Sequence, residues 1–231
     1  MLRLMPAPRT LRPGAPSRWS RASVGFAALA FTAWGVAAAA QSLAHPALAS
    51  LPEGVRAALH RGQVVTLESE VAGTSYTTRV AALVAGDPAK VVSEIRDYGQ
   101  LPRIYPEMRS LSYDRGPDHD RFRFSMKLHP LLPAITFAKS VTWDVQPNGD
   151  ANVDIALERS TQRRVEAQDW AFHAFRVDDA KTLLVYETKD RYHGVPGKNK
   201  LLARLADIST RLVADIKTRS LGHLTGERAG Q

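Results

Sequence analysis

The chain has 231 residues, with 31 Lys+Arg against 23 Asp+Glu, a formal charge of +8 and no cysteine. The missing cysteine excludes disulfides, thiolate metal sites and a cysteine nucleophile. Five arginines in the first 40 residues carry most of the imbalance; without them the count is 26 against 23, or +3, which does not call for nucleic acid.

Arg3, Arg9, Arg12, Arg18 and Arg21 precede an uncharged run from Val24 to Ala40 that ends in Ala-Ala-Ala at 38–40. A basic segment, an apolar segment and small residues predict a secretory signal peptide over 1–40, cleaved near Ala40. Cleavage after Ala44 or Ala49 fits the same pattern. The uncharged run is 17 residues long and rich in alanine, short of the roughly 20 strongly apolar residues of a spanning helix. An uncleaved membrane anchor is the rival reading, because the basic segment is long. Export predicts a periplasmic protein, away from most nucleic acid.

Residues 41–50 read as a linker and Leu51 to His60 as a short helix, with Pro52 near its start and Gly62 just past its end. Together, 41–62 form a lead-in to the main domain. From Gln63 the texture is extended: Val64, Val65, Leu67 and Val71 sit among polar residues, Gly73-Thr74 marks a turn, and Tyr76 to Val84 makes a second run. Asp87-Pro88 opens a helix, with Asp87 as cap and Val91, Val92 and Ile95 as its apolar stripe. Pro102 and Pro106 then impose a compact loop.

Strands follow. Arg109 to Tyr113 is one candidate. From Arg121 to Leu128, Phe122, Phe124, Met126 and Leu128 alternate with charged or polar residues, the period of a half-buried strand. Ile135 to Val145, a turn at Pro147-Asn148-Gly149-Asp150, and runs at Val153–Leu157, Trp170–Val177 and Thr182–Tyr192 continue the series. From about Asn199 to Arg219, Leu201, Leu205, Ile208, Leu212 and Ile216 recur at helical spacing. Gly222 is the expected stop, and 221–231 the expected disordered tail.

Three stretches carry a resemblance. Val80 to Val92, Asp97-Tyr98-Gly99-Gln100-Leu101-Pro102 with Tyr105-Pro106-Glu107-Met108, and Thr182 to Glu187 before the long helix resemble the START-like (SRPBCC, helix-grip) superfamily, of the polyketide cyclase and coenzyme Q-binding type. The likeness covers residues 63–220. It implies an α+β helix-grip fold, a curved antiparallel sheet wrapped around a long C-terminal helix, with a cavity between them for a lipid, quinone or sterol-like molecule.

On that fold, Phe122, Phe124, Met126, Trp143, Trp170, Phe172, Leu184 and Tyr186 are expected to line the cavity from the sheet. Leu201, Leu205, Ile208 and Leu212 face it from the helix. Taken singly, each is better explained as packed core, and the helix residues are core first and ligand contacts second; the fold likeness favours a cavity for the set. Tyr98, Leu101, Ile104, Tyr105 and Met108 fall near the mouth, as a gate or a rigid connector. His129, His173 and His193 have no metal-ligand spacing, and serine-nucleophile or phosphate-loop motifs are absent, so no catalytic residue, metal or cofactor is assigned. Arg159, Arg163 and Arg164 read as a solvated cluster, with contact to an anionic headgroup as the functional alternative. The expectation is a monomeric, non-enzymatic carrier or chaperone, with transient membrane contact. Two alternatives stay open: a cyclase, dehydratase or hydrolase using the same pocket, with His173 or Tyr186 as acid or base, and an envelope interaction module with a residual pocket.

Overall fold

The computed structural model describes residues 45–127, 134–194 and 197–228. The predicted signal segment, its cleavage point near Ala40, Leu128 and His129 lie outside the described residues. Two short helices, α1 (Pro46–Ala49) and α2 (Glu53–His60), precede β1 (Val65–Ala72) and β2 (Ser75–Ala85). Helix α3 (Pro88–Ile95), a 3-10 turn at Tyr98–Gln100 and α4 (Leu101–Ile104) then carry the chain to β3 (Met108–Arg115). The remaining elements are β4 (His119–Met126), β5 (Ile135–Val145), β6 (Ala151–Ser160), β7 (Val165–Asp178), β8 (Lys181–Tyr192) and the long helix α5 (Lys198–Arg228).

The eight strands form one antiparallel sheet in the order β1-β2-β8-β7-β6-β5-β4-β3. The last strand pairs with the second, so the β1–β2 hairpin and the β3–β8 meander are joined at β2 and β8. Alternation decides the faces: Phe122, Phe124 and Met126 of β4 are buried while Arg121 and Arg123 are exposed. In β8 the run Leu183-Leu184-Val185-Tyr186 is buried on both faces. Leu184 and Tyr186 join the main core, and Leu183 and Val185 join a second cluster with Leu48 of α1 and Leu59 of α2.

That second cluster alters the expected lead-in. Residues 46–49 form a helix instead of a linker, because the outer face of β2 and β8 is apolar and requires cover. Leu48 is 1% exposed there. His45 fixes the segment by stacking on Phe175 and bonding Asp150 at 3.0 Å. Asp150 in turn follows Gly149, whose φ of 87° lets the β5–β6 turn close.

Asp87 caps α3 by accepting from the Lys90 N–H at 2.8 Å, a contact that stabilises a helix by about 1 kcal/mol. Helix α5 runs past the expected stop at Gly222 and on to Arg228. Glycine inside a helix costs only about 1 kcal/mol relative to alanine and breaks nothing by itself. Along α5, Leu212, Val213 and Ile216 are buried in the core, whereas Leu201, Leu205 and Ile208 of the same stripe are only half-buried. The first half of the helix therefore stands off the sheet.

Candidate functional site: a cavity under the first half of the C-terminal helix

The stand-off leaves a cavity of about 690 Å³. Its floor is the far end of the sheet: Met126 of β4, Ile135 and Phe137 of β5, Gln168 and Trp170 of β7, and Tyr186, Thr188, Asp190 and Tyr192 of β8. Leu201, Arg204, Leu205, Ile208 and Ser209 form its roof, and Tyr105 closes one side. Thr161, Gln162, Arg164 and Val165 stand where the sheet opens. The register explains the opening: β6 and β7 pair only from Ala151/Ala174 to Ile155/Trp170. Beyond Ile155 the strands part, and the Asp169 carboxylate takes the Leu157 N–H at 3.1 Å in place of a ladder bond.

Of the expected lining residues, Met126, Trp170, Tyr186, Leu201, Leu205 and Ile208 meet at this cavity. Phe122, Phe124, Phe172, Leu184 and Leu212 lie in the main core, outside the lining. The reason is the burial gradient along α5: toward its C-terminus Leu212, Val213 and Ile216 pack into the core, so residues at that end meet side chains rather than space. Trp143 is drawn elsewhere, with the Arg96 guanidinium 3.7 Å above its ring.

The expected mouth divides in the same way. Tyr105 lines the cavity, its ring parallel to that of Trp170 with centroids 6.1 Å apart. Tyr98, Leu101 and Ile104 are buried beside Leu212 and Ile216 around a crevice of about 20 Å³. Met108 is half-buried against the core. Tyr98 donates to Asp120 at 2.7 Å and stacks on Phe122, so this stretch is built into the core. Among the described residues, the exposed part of the lining is instead Ala134, Thr161, Arg164 and Arg204, with Gln162 half-buried. Arg204 is ion-paired with Glu107, and Arg164 donates to the Gly194 carbonyl at 3.3 Å. His173 is not part of the site; it bonds Asn152 at 2.7 Å.

Four polar residues at or behind the cavity wall were not anticipated: Lys139, Gln168, Thr188 and Asp190. Strand parity carried a signal for all of them. Thr188 and Asp190 share a face with Leu184 and Tyr186, Gln168 with Trp170 and Phe172, and Lys139 with Phe137 and Val141. Lys139 is fully buried, donates to the Gln168 carbonyl oxygen and lies 4.0 Å from the centre of the Trp170 ring. Burial pushes its ammonium pKa down to about 7 against the pull of Asp190 and Asp169. Asp190 is 2% exposed, and neither carboxylate oxygen has a hydrogen-bond partner among the described residues. Burial raises its pKa to about 7, opposed by the Lys139 charge. Thr188 and Tyr192 stand close enough to favour its ionised form, but neither is aligned to bond it. Tyr186 has its pKa raised by burial and by Tyr105 and Asp190, so it remains a neutral phenol. Among the described residues, no group of three or more His, Asp or Glu is arranged to hold a metal ion.

No protein-family model matches the chain, and no curated protein sequence matches it significantly. Among solved structures, a STAR-related lipid transfer protein (fragment 25–204) from Xanthomonas axonopodis superposes with a TM-score of 0.52 at 8% identity, covering 68% of this chain and 98% of that one. A protein of Thermus thermophilus is 15% identical, with 64% and 98% covered and a TM-score of 0.48. An aromatase/cyclase from Streptomyces sp. R1128 is 16% identical, with 63% and 86% covered and a TM-score of 0.41. Sheet order, the long gripping helix and the Xanthomonas likeness together define the class of fold: the chain has the START-like, helix-grip fold.

Proposed function

We propose that this protein is an exported, non-enzymatic binding protein that holds a lipid-like or quinone-like molecule between its sheet and α5, as a carrier or chaperone. The observation that carries the reading is the cavity of about 690 Å³ walled by Met126, Ile135, Phe137, Leu201, Leu205 and Ile208. That volume falls in the range of about 300–1,000 Å³ typical of small-molecule sites. An apolar ligand placed there gains about 25 cal/mol for each Å² of apolar surface removed from water. The Xanthomonas protein of the same fold is a STAR-related lipid transfer protein, which agrees with this reading. Export is supported by the sequence pattern of residues 1–40, and the proposed carrier acts as a monomer in the periplasm.

Native mass spectrometry of protein purified from its own host, with organic extraction, tests the reading. A stoichiometric apolar small molecule is the expected result. Protein that emerges empty and does not enhance N-phenyl-1-naphthylamine fluorescence would remove the carrier reading.

A second reading has an observation of its own. A carboxyl group whose pKa is raised to about 7, beside the neutral phenol of Tyr186 in a largely apolar cavity, is the equipment of a general acid–base catalyst of the cyclase or dehydratase kind. Conversion of a bound polyketide-like substrate, abolished in Asp190→Asn, would favour the enzyme over the carrier.

A further inference from the structure

Unpartnered buried oxygens gather in one place on the concave face. Thr78 Oγ1, Gln168 Oε1, Thr188 Oγ1 and both carboxylate oxygens of Asp190 are shielded from solvent and bonded to no group among the described residues. The register makes them neighbours: Gln168 lies opposite Asp190 on β7 and β8, and Thr188 lies opposite Thr78 on β8 and β2. Gln168 donates its amide to the Tyr192 hydroxyl at 3.2 Å, which leaves its oxygen as the free end. Three of these residues (Gln168, Thr188 and Asp190) line the cavity.

Folded proteins pair nearly all their buried polar atoms, and the other deeply buried aspartate of this sheet obeys that rule. Asp120 takes Arg96 at 2.8 and 3.0 Å, Tyr98 at 2.7 Å and the Gly116 N–H at 3.2 Å. The threonine hydroxyls can donate as well as accept, but the oxygens of Asp190 and Gln168 are left without a bonded partner among the described residues, and at the end of an apolar cavity this strip fits a ligand whose hydroxyl can both donate and accept.

We propose that the ligand is an amphiphile with a neutral, hydroxyl-bearing end, and that Asp190, Thr188 and Gln168 receive that end while the apolar body lies under Leu201, Leu205 and Ile208. A carboxylate-headed ligand would put a second acidic group beside Asp190 in a buried site, where two carboxylates cannot both ionise. A cationic head would enter a low-dielectric region where Lys139 already supplies positive charge behind Trp170. A hydroxyl donates to the strip and brings no charge. The inference rests on the binding reading above and names the chemistry of its ligand.

The test compares dodecan-1-ol with 1-methoxydodecane, an ether of similar apolar length that lacks the donor, by displacement of N-phenyl-1-naphthylamine from the full mature chain. The wild type is expected to bind the alcohol at least about tenfold more tightly, the effect of pairing a buried polar group that is otherwise left unmade. Asp190→Leu should bring alcohol binding down to the level of the ether, and Thr188→Val should remove part of the preference. If Asp190→Leu does not fold, Thr188→Val and Gln168→Leu carry the comparison. Equal affinity of the wild type for both probes overturns the proposal, with water as the strip's partner, while the binding reading stands. A preference that survives in the variants also overturns it. Failure of both probes to bind overturns the binding reading as well.

Discussion

Two buried aspartates are treated in opposite ways. Asp120 is held by Arg96, Tyr98 and the Gly116 N–H. Burial alone would raise its pKa, but these partners outweigh burial and keep it below the ordinary carboxylate range. Its contribution to stability is therefore present at neutral pH and is lost as pH falls through its lowered folded-state pKa. Asp120→Ala leaves Arg96 without its partner and should cost about 3–5 kcal/mol in urea unfolding at pH 7; a cost near zero would mean that the network is ornamental. Asp190 runs the other way. Its folded-state pKa is raised from 3.8 to about 7, so the folded state holds a proton that the unfolded state has released. Stability should therefore fall as pH rises from about 4 to about 7 through this residue. In Asp190→Asn that fall should vanish, leaving urea midpoints flat or rising over the window, since Lys139 then titrates without its carboxylate neighbour. The same decline in both proteins would place the titration elsewhere. The sequence concealed Asp190 for a simple reason: Lys189 and Arg191 flank it, so the end of β8 reads as a solvated charged strand. Only parity with Tyr186 turns it inward.

At the scale of elements, most strands and both main helices were legible, because alternation and the helical stripe are enforced by burial on one face. Elements whose burial depends on distant chain were not. Helix α1 (Pro-Ala-Leu-Ala) is made of good helix formers but is too short to hold by itself, and it forms because Leu48 finds Leu59, Leu183 and Val185 on the outer face of the sheet. No local pattern announces that contact. It also bears on the three candidate cleavage points. A chain beginning at His45 keeps Leu48, the His45–Phe175 stack and the His45–Asp150 contact, whereas one beginning at Ser50 loses all three. The shorter chain should be less stable by about 2–5 kcal/mol, the cost of deleting one large buried apolar side chain. Paired urea titrations of the two truncations check this. Equal stability would show that the outer cluster does not need α1, and would restore cleavage after Ala49. The position of the cavity was likewise hidden: the apolar stripe of α5 reads the same from Leu201 to Ile216, and only the burial gradient along the folded helix separates its cavity half from its core half.

The whole molecule joins a firm half to a yielding one. The C-terminal half of α5 is held by Leu212, Val213 and Ile216 in the core, and by Arg219, which pairs with Glu94 of α3 and with Asp97 at 3.7 Å. The N-terminal half covers the cavity. Among the described residues its polar ties to the sheet and loops are the Arg204–Glu107 ion pair and a Lys198 ammonium donating to the Gly73 carbonyl at 2.7 Å. Partly exposed ion pairs of this kind contribute about 0–1 kcal/mol, so the first half opens at lower cost than the second. Local opening free energies in one element then differ along its length, and entry of a ligand needs only the weaker half to lift. Amide hydrogen exchange reads this directly. Without added ligand, Leu202 to Asp207 should exchange faster than Leu212 to Thr218. Dodecan-1-ol at about 100 times its Kd stabilises the closed state by about 2.7 kcal/mol, which should slow exchange in the first segment by up to about a hundredfold and leave local exchange in the second nearly unchanged. Uniform protection along α5, indifferent to the probe, would mean that the helix is one rigid lever and that the ligand enters between β6 and β7, where the strands part after Ile155.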